Sequence, residues 1–220
     1  MDGRDTLIIA IDGPAASGKS TVAKRVAAAL GIVFVNSGAM YRAFTWWVLR
    51  NGADPADTPA VLDLLARTDF VCGEEGGVGT VAVGGIPMTR AELAAPEVNA
   101  GVSAIAAILE VRERLVAEQR RYASERGVVM EGRDIGSVVF PGTPHKFYID
   151  ASPEVREARR RAEGIADSIA SRDKIDSSRK ASPLVVPEDA LVVDSSELGI
   201  DEVVATVLEA IQAKGTPRPG

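Results

Sequence analysis

Residues 7–21, LIIAIDGPAASGKST, decide the fold. Leu7 to Ile11 form a continuous apolar run, which is typical of a strand buried on both faces of a parallel sheet. Asp12 ends the run, and the residues from Gly13 to Ser20 match the pattern G-x-x-x-x-G-K-[ST] directly before a segment with helical spacing of its apolar residues. A buried strand, a glycine-rich loop and a helix in this order form the context in which the pattern binds phosphate.

The loop predicts a nucleotide site with a magnesium ion. Its glycines let successive backbone N–H groups turn inward, and the following helix directs its positive dipole end at the same point. Lys19 is placed to reach the outer phosphates, and the Ser20 hydroxyl to bind Mg²⁺. The predicted ATP-binding residues of the loop are Gly13, Pro14, Ala15, Ala16, Ser17, Gly18, Lys19, Ser20 and Thr21.

The composition is that of an ordinary globular chain. With 220 residues, 46% hydrophobic and 25% charged, it fits one domain over residues 1–220 and excludes disorder, collagen and coiled coil. One cysteine and one histidine exclude an internal disulfide and the usual zinc sites, so any metal must be a hard ion held by oxygens.

Charge and hydropathy limit the partners. A net charge of -6 argues against nucleic-acid binding, which needs many cationic phosphate contacts. No apolar run approaches the roughly 20 residues of a membrane span, and the first residues lack the features of a signal peptide. We therefore expect a cytoplasmic protein with no nucleic-acid or membrane partner. Our hypothesis for its assembly and ligands is a monomer that binds small molecules.

The rest of the chain alternates apolar runs with helical patterns. Further strands are predicted at residues 32–35, 128–130, 145–149 and 191–193, with helices between them and a last helix from Ile200 to Ile211. This rhythm predicts an α/β fold with a five-stranded parallel sheet flanked by helices. The segment of about residues 68–95 differs, because it has the short runs and glycine-rich turns of an inserted antiparallel hairpin.

The loop alone leaves the fate of the phosphate open. A GTPase would need [NT]-K-x-D after a buried strand, and the nearest match, residues 173–176 (DKID), begins with Asp and follows no apolar run. A motor or transport ATPase would usually need a longer chain. A small-molecule kinase needs arginines around the transferred group, and 19 Arg against 6 Lys favour it, because the planar guanidinium suits bidentate binding of phosphate.

Four further motifs closely resemble those of the bacterial cytidylate (CMP) kinases, within the nucleoside monophosphate kinases. In chain order they are Ser37-Gly38-Ala39-Met40-Tyr41-Arg42, Glu131-Gly132-Arg133-Asp134-Ile135-Gly136, Val138-Val139-Phe140-Pro141 and Arg172-Asp173-x-x-Asp176-x-x-Arg179. The resemblance runs from about Ile8 to Val204. It implies a P-loop kinase fold in which segment 68–95 is a small NMP-binding subdomain and residues of about 156–180 form a short lid.

The resemblance implies transfer of the γ-phosphoryl group of ATP to CMP or dCMP. It assigns Arg42 and Arg133 to the acceptor phosphate and Ser37 to the acceptor site. It assigns the base to Ser103, Arg112 and Asp134, and the sugar to Arg172, Asp176 and Ser103. Arg179 would reach the phosphoryl groups when the lid closes, so the implied catalytic residues are Lys19, Arg133 and Arg179.

Several residues keep two interpretations. Asp12 and Glu131 either cap local structure or hold the waters of Mg²⁺, and Glu131 is the preferred metal residue. Arg156, Arg159 and Arg160 form either a solvated helix face or a site over ATP, for which Arg160 is the candidate.

The chain departs from the resembled pattern in the acceptor half and the lid. Asn36 stands where Asp is common, which keeps an acceptor but loses a charge. Leu93-Ala94 stands where Ile-Arg is usual, so an arginine of the acceptor site is missing or replaced by Arg90. The lid segment is also short. The alternatives left open are another acceptor such as UMP, and a nucleotide-binding module without turnover.

Overall fold

The computed structural model describes residues 6–162 and 184–215. The strands are β1 (Ile8–Asp12), β2 (Val33–Asn36), β3 (Phe70–Glu75), β4 (Val78–Val83), β5 (Ile86–Pro87), β6 (Val128–Gly132), β7 (His145–Asp150) and β8 (Leu191–Asp194). The helices are α1 (Lys19–Leu30), α2 (Ser37–Arg50), α3 (Thr58–Ala66), α4 (Arg90–Leu93), α5 (Pro96–Ile105), α6 (Leu109–Ala123), α7 (Pro153–Ala162) and α8 (Ile200–Ala213), with a π-helix at Ile135–Val139. The predicted lid residues Arg172, Asp176 and Arg179 lie outside the described residues.

Five parallel strands form the centre of the sheet, in the order β2, β6, β1, β7, β8. The predicted parallel α/β architecture is thereby confirmed. The apolar run before the phosphate-binding loop occupies the middle of the sheet, and Ile9 and Ile11 are fully buried. Strand β8 lies at the edge, so Leu191 and Val192 are exposed although their run was predicted as a core strand.

The predicted hairpin continues the main sheet. Strands β3 and β4 pair antiparallel, and β5 returns along β4. Strand β4 also pairs parallel with β2, through Phe34 and Val78. The pairing is possible because β2 has an open edge there: the Phe34 N–H donates to the carbonyl of Gly77 at 2.9 Å. The described sheet therefore has eight strands, three more than the sequence predicted.

Helices cover both faces of the sheet. On one face, α1 and α8 pack over β1, β6 and β7, with Val22, Val26, Val207 and Ile211 in the core. On the other face, α6 packs over residues of β1, β2 and β6, and α2 and α6 pack together near the hairpin. No helix in the described part of the chain has the length and apolar character needed to cross a bilayer.

Replacing Ile211 by alanine should destabilise the protein. Ile211 is fully buried in α8, and removing a side chain of this size from a packed core costs about 2–5 kcal/mol. Urea unfolding of the variant measures the loss. The exposed neighbour Gln212→Ala is the control and should stay within about 0.5 kcal/mol of the parent. Equal losses for both variants would contradict the packing of α8 on the sheet.

Candidate active site

A cleft of about 280 Å³ lies at the carboxyl ends of β1, β2 and β6. Ligands of open α/β sheets bind at this edge, because loops from neighbouring parallel strands converge there. The structure brings most of the predicted site residues to its walls: Ala15, Ala16, Gly18, Lys19, Ser20, Thr21, Ser37, Arg42, Ser103, Arg112, Glu131, Arg133, Asp134 and Arg160. Gly13, Pro14 and Ser17 belong to the same loop, outside the lining of the cleft.

The phosphate-binding loop has the backbone that its glycines predict. Gly13 has φ 153°, and a Cβ there would lie 2.1 Å from the carbonyl oxygen of Ile149, so a larger residue cannot fit. Gly18 precedes α1 in the left-handed region, with φ 87°. Lys19 Nζ donates to the carbonyl of Pro14 at 2.9 Å, which curls the loop around the ammonium group. Lys19 is buried, so its ammonium group is held within the loop and does not extend into solvent.

Ser20 and Glu131 form an oxygen-rich pair beside Lys19. The Ser20 hydroxyl donates to Glu131 Oε1 at 2.7 Å, and Lys19 Nζ lies 3.9 Å from Glu131 Oε2. The described residues contain no group of three or more His, Cys, Asp or Glu that could hold a metal ion. The Ser20 hydroxyl and the Glu131 carboxylate nevertheless fit Mg²⁺, because this ion usually keeps several waters and binds through one or two carboxylates plus substrate phosphates.

Asp12 caps the π-helix. Its carboxylate accepts from the N–H groups of Ile135 and Gly136 at 2.8 and 2.7 Å, which fixes the backbone directly after Asp134. Burial raises the pKa of Asp12 to about 6, although the two backbone hydrogen bonds oppose the rise. Of the two interpretations of this residue, the structure supports the cap.

Arg112 and Asp134 form a buried ion pair in the wall of the cleft. Arg112 Nη2 donates to Asp134 Oδ2, and Nη1 donates to the carbonyl of Ala106 at 3.2 Å. The guanidinium also lies 5.5 Å from the centre of the Tyr41 ring. Both partners are less than a tenth exposed, at 3% and 6%. A buried pair of this kind costs desolvation and is weak evidence for stability.

The other residues predicted for the acceptor site come from α2, from α5 and from the loop after β6. Arg42 projects from α2 and contacts the carbonyl of Leu93 at 3.4 Å and the side chain of Asn99. The Ser37 hydroxyl donates to the carbonyl of Glu131 at 2.8 Å, while Arg133 follows β6 and Ser103 projects from α5.

The departures from the resembled motifs have structural counterparts. Asn36 caps α2 by accepting from the N–H of Ala39. Arg90 is exposed at the start of α4 and is not in the cleft lining. Asn99, which sequence reasoning did not single out, contacts Arg42; an isolated asparagine in a helix gave no signal.

The arginines of α7 make different contacts. Arg156 is buried, with Nε donating to the carbonyl of Ala151 at 3.0 Å. Arg159 donates to the hydroxyl of Ser195 at 3.0 Å, and Ser195 Oγ lies 2.9 Å from the carbonyl oxygen of Ser17 in the phosphate-binding loop. A solvated face is therefore wrong for both residues, because each is tied to backbone or loop groups. Arg160 lines the cleft, and its assignment to ATP stays a prediction.

The family of the chain follows from comparison with known proteins. The family model for cytidylate kinase matches residues 9–213. The chain belongs to the cytidylate kinase family. It is 45% identical over 216 residues to the cytidylate kinase of Desulforamulus reducens, with 93% of this chain and 96% of the relative covered. It is 40% identical over 217 residues to the Streptomyces avermitilis cytidylate kinase, covering 94% of each.

A solved structure supports the fold alone. An uncharacterized protein from Eubacterium ventriosum matches 94% of this chain and 99% of its own, with a TM-score of 0.51 at 13% identity. Cytidylate kinases are phosphotransferases, so the family makes the chain an enzyme of this class.

The stability of the protein should depend on the ionisation of Asp12. Because the folded state raises its pKa from 3.8 to about 6, it binds the proton more tightly than the unfolded chain does. The contribution of Asp12 to the free energy of unfolding should therefore fall, by up to about 3 kcal/mol, as the pH rises from about 4 to about 6.

Urea unfolding of the parent and Asp12→Asn at several pH values tests this dependence. The stability of the parent relative to the variant should decrease across that range and become constant above about pH 7. Parallel curves for the two proteins over the range would show that burial does not perturb Asp12.

Proposed function

We propose that the protein transfers the γ-phosphoryl group of ATP to CMP or dCMP, giving CDP or dCDP and ADP. The observation that supports this most directly is the placement of two different sites in one cleft. The phosphate-binding loop with Lys19 and the buried Arg112–Asp134 pair both line it. A kinase for a nucleoside monophosphate needs both, one for the donor phosphates and one for the acceptor base.

Electrostatics supplies most of the catalysis in phosphoryl transfer. The transition state is loose, and its charge spreads over the equatorial oxygens of the transferred group. Lys19, whose ammonium group donates to the Pro14 carbonyl, would neutralise the donor phosphates, and Arg160 from the same cleft would add a second cation. No general base is required, because the acceptor atom is already an anionic phosphate oxygen.

The acceptor phosphate is assigned to Arg42 and Arg133. Both line the cleft, one from α2 and one from the loop after β6, so they approach from two sides. Paired guanidiniums bind phosphate through parallel N–H donors. Their charge also lowers the repulsion between the two anionic substrates as these are brought together.

The base is assigned to Ser103, Arg112 and Asp134, all of which line the cleft. Cytosine offers an N4 amino donor, for which a carboxylate is the natural acceptor. Uracil has a carbonyl at that position and would be repelled by Asp134. Because the Arg112–Asp134 pair is buried, it reads the base in a site of low dielectric, where such differences are large.

Ser20 and Glu131 would hold Mg²⁺, Ser20 by its hydroxyl and Glu131 through water. When bound, the ion would supply positive charge against the negative charge that develops on the donor phosphates. The assignment of Arg172, Asp176 and Arg179 to the sugar and the phosphoryl groups stays a prediction, as do the lid and the NMP-binding role of segment 68–95.

We further infer that the enzyme acts as a cytoplasmic monomer.

A panel of acceptors tests the activity. ADP release from ATP and Mg²⁺ should be fastest with CMP or dCMP and much slower with UMP, AMP and dTMP. Preference for UMP would replace the proposed acceptor, whereas nucleotide binding without ADP release from any acceptor would indicate a module without turnover.

Lys19→Ala should lower kcat by several orders of magnitude and leave the protein folded. The ammonium group acts on charge that develops in the transition state, where a preorganised donor contributes most. Steady-state kinetics with circular dichroism measures both properties. Lys24→Ala, an exposed lysine of the same helix, should keep the activity of the parent. Turnover by Lys19→Ala within about tenfold of the parent would contradict the donor-site assignment.

Asp134→Asn should narrow the preference for CMP over UMP. The asparagine keeps the size of the side chain but removes the charge that repels the uracil carbonyl, and a good base contact discriminates by about 1–3 kcal/mol. Asparagine is preferable to alanine, which would leave Arg112 buried beside a cavity. The ratio of kcat/KM for the two acceptors measures the effect, and an unchanged ratio would exclude Asp134 as a base reader.

A further inference from the structure

We propose that Asn99 is a positioning residue, which holds the Arg42 guanidinium in place for the acceptor phosphate. The proposal rests on the proposed function, because it takes Arg42 as a phosphate ligand. Asn99 lies in α5 and Arg42 in α2, 57 residues apart in the chain. Their contact joins the helix after the second strand to the helices that follow the inserted hairpin.

The side-chain amide of Asn99 both accepts and donates hydrogen bonds. Its oxygen accepts from Arg42 Nη1, while its Nδ2 donates to the carbonyl of Ala94 at 2.8 Å and lies 3.2 Å from that of Ala95. The same Arg42 nitrogen lies 3.4 Å from the carbonyl of Leu93. The carbonyls at the end of α4 thus contact both the guanidinium and the amide that orients it.

These contacts are compatible with phosphate binding. A guanidinium has five N–H donors, and a bidentate phosphate contact uses two of them. Arg42 can therefore keep its bond to Asn99 while it binds the acceptor. A long side chain that is already ordered loses less freedom when the ligand arrives, so the orientation should appear as tighter binding of CMP.

A neutral amide at position 99 fits the positioning role better than a carboxylate or an aliphatic side chain would. A carboxylate would also bind Arg42, but it would put a negative charge beside the acceptor phosphate and could not donate to the Ala94 carbonyl. An aliphatic residue would leave the guanidinium with fewer partners. Leu93 and Ala94 contact this cluster through backbone carbonyls, so Asn99 supplies the side-chain acceptor.

A double-mutant cycle tests the inference. The proteins are the parent, Asn99→Ala, Arg42→Ala and the double variant, with CMP affinity measured by calorimetry and KM and kcat by ADP release. Asn99→Ala should weaken CMP binding and raise its KM by about tenfold, the size expected for a hydrogen bond to a charged group. The kcat and the KM for ATP should stay within about twofold. In the Arg42→Ala background the same change should have almost no effect.

Two further variants separate positioning from a general structural role. Asn99→Asp should bind CMP more weakly than Asn99→Ala, because it adds repulsion of the phosphate. Asn51→Ala is the matched control: this asparagine also binds a backbone carbonyl, that of Trp47 in α2, but it lies outside the cleft lining. Asn51→Ala should leave CMP binding unchanged.

The outcomes distinguish the inference from the proposed function. If the parent phosphorylates CMP and Asn99→Ala binds it as tightly as the parent, the inference is wrong and the function stands. An Asn99→Ala effect that persists undiminished without Arg42 also overturns the inference. If the parent does not phosphorylate CMP, the proposed function fails, and the calorimetric cycle with CMP still decides whether Asn99 acts through Arg42. A parent that does not bind CMP overturns both.

Discussion

The parallel pairing of β1 with β6 is the constraint on which the cleft depends. In this register Ile11 lies opposite Glu131 and Asp12 opposite Gly132. The phosphate-binding loop that follows β1 and the loop that contains Arg133 and Asp134 therefore leave the sheet side by side. A register shift of one residue would turn Glu131 to the opposite face and separate it from Ser20.

Charge in the cleft is organised by contacts within the protein. Lys19, Arg42, Arg112, Arg133 and Arg160 line a small volume together with two carboxylates, Glu131 and Asp134. Buried charges are costly unless they are paired, and the pairs here are formed within the protein. Contacts of this kind fix the orientation of the charged groups, which is the condition for electrostatic stabilisation of a transition state without reorganisation.

The sequence predicted those parts of the molecule that local patterns determine. The loop from Gly13 to Ser20 and the five parallel strands follow from glycine placement and apolar runs, and both are observed. The pairing of the hairpin with β2 was not predicted, because an open strand edge has no signature in the residues of its partner. The contact of Asn99 with Arg42 was missed for a similar reason, since it joins helices that are far apart in the chain.

The arginines of α7 illustrate the other limit of sequence reasoning. Their alternation with glutamates is the pattern of a solvated helix. Charge patterning alone could not distinguish the arginines that contact the rest of the protein from those that face solvent. Burial of Arg156 and the bond from Arg159 to Ser195 depend on how α7 lies against the phosphate-binding loop. That arrangement is a property of tertiary packing, which helical spacing alone does not determine.

The position of β1 at the centre of the sheet has a consequence for synthesis of the protein. Both neighbours of β1 come late in the chain: Ile8 pairs with Val128, and Ile9 with His145. At a usual rate of about 5–20 residues per second, the ribosome needs roughly 6–24 s after making β1 to reach its first partner. During that time an apolar strand lacks both of its native neighbours. The nascent chain must shield it by other contacts, and the nucleotide cleft can form only after β6 has emerged.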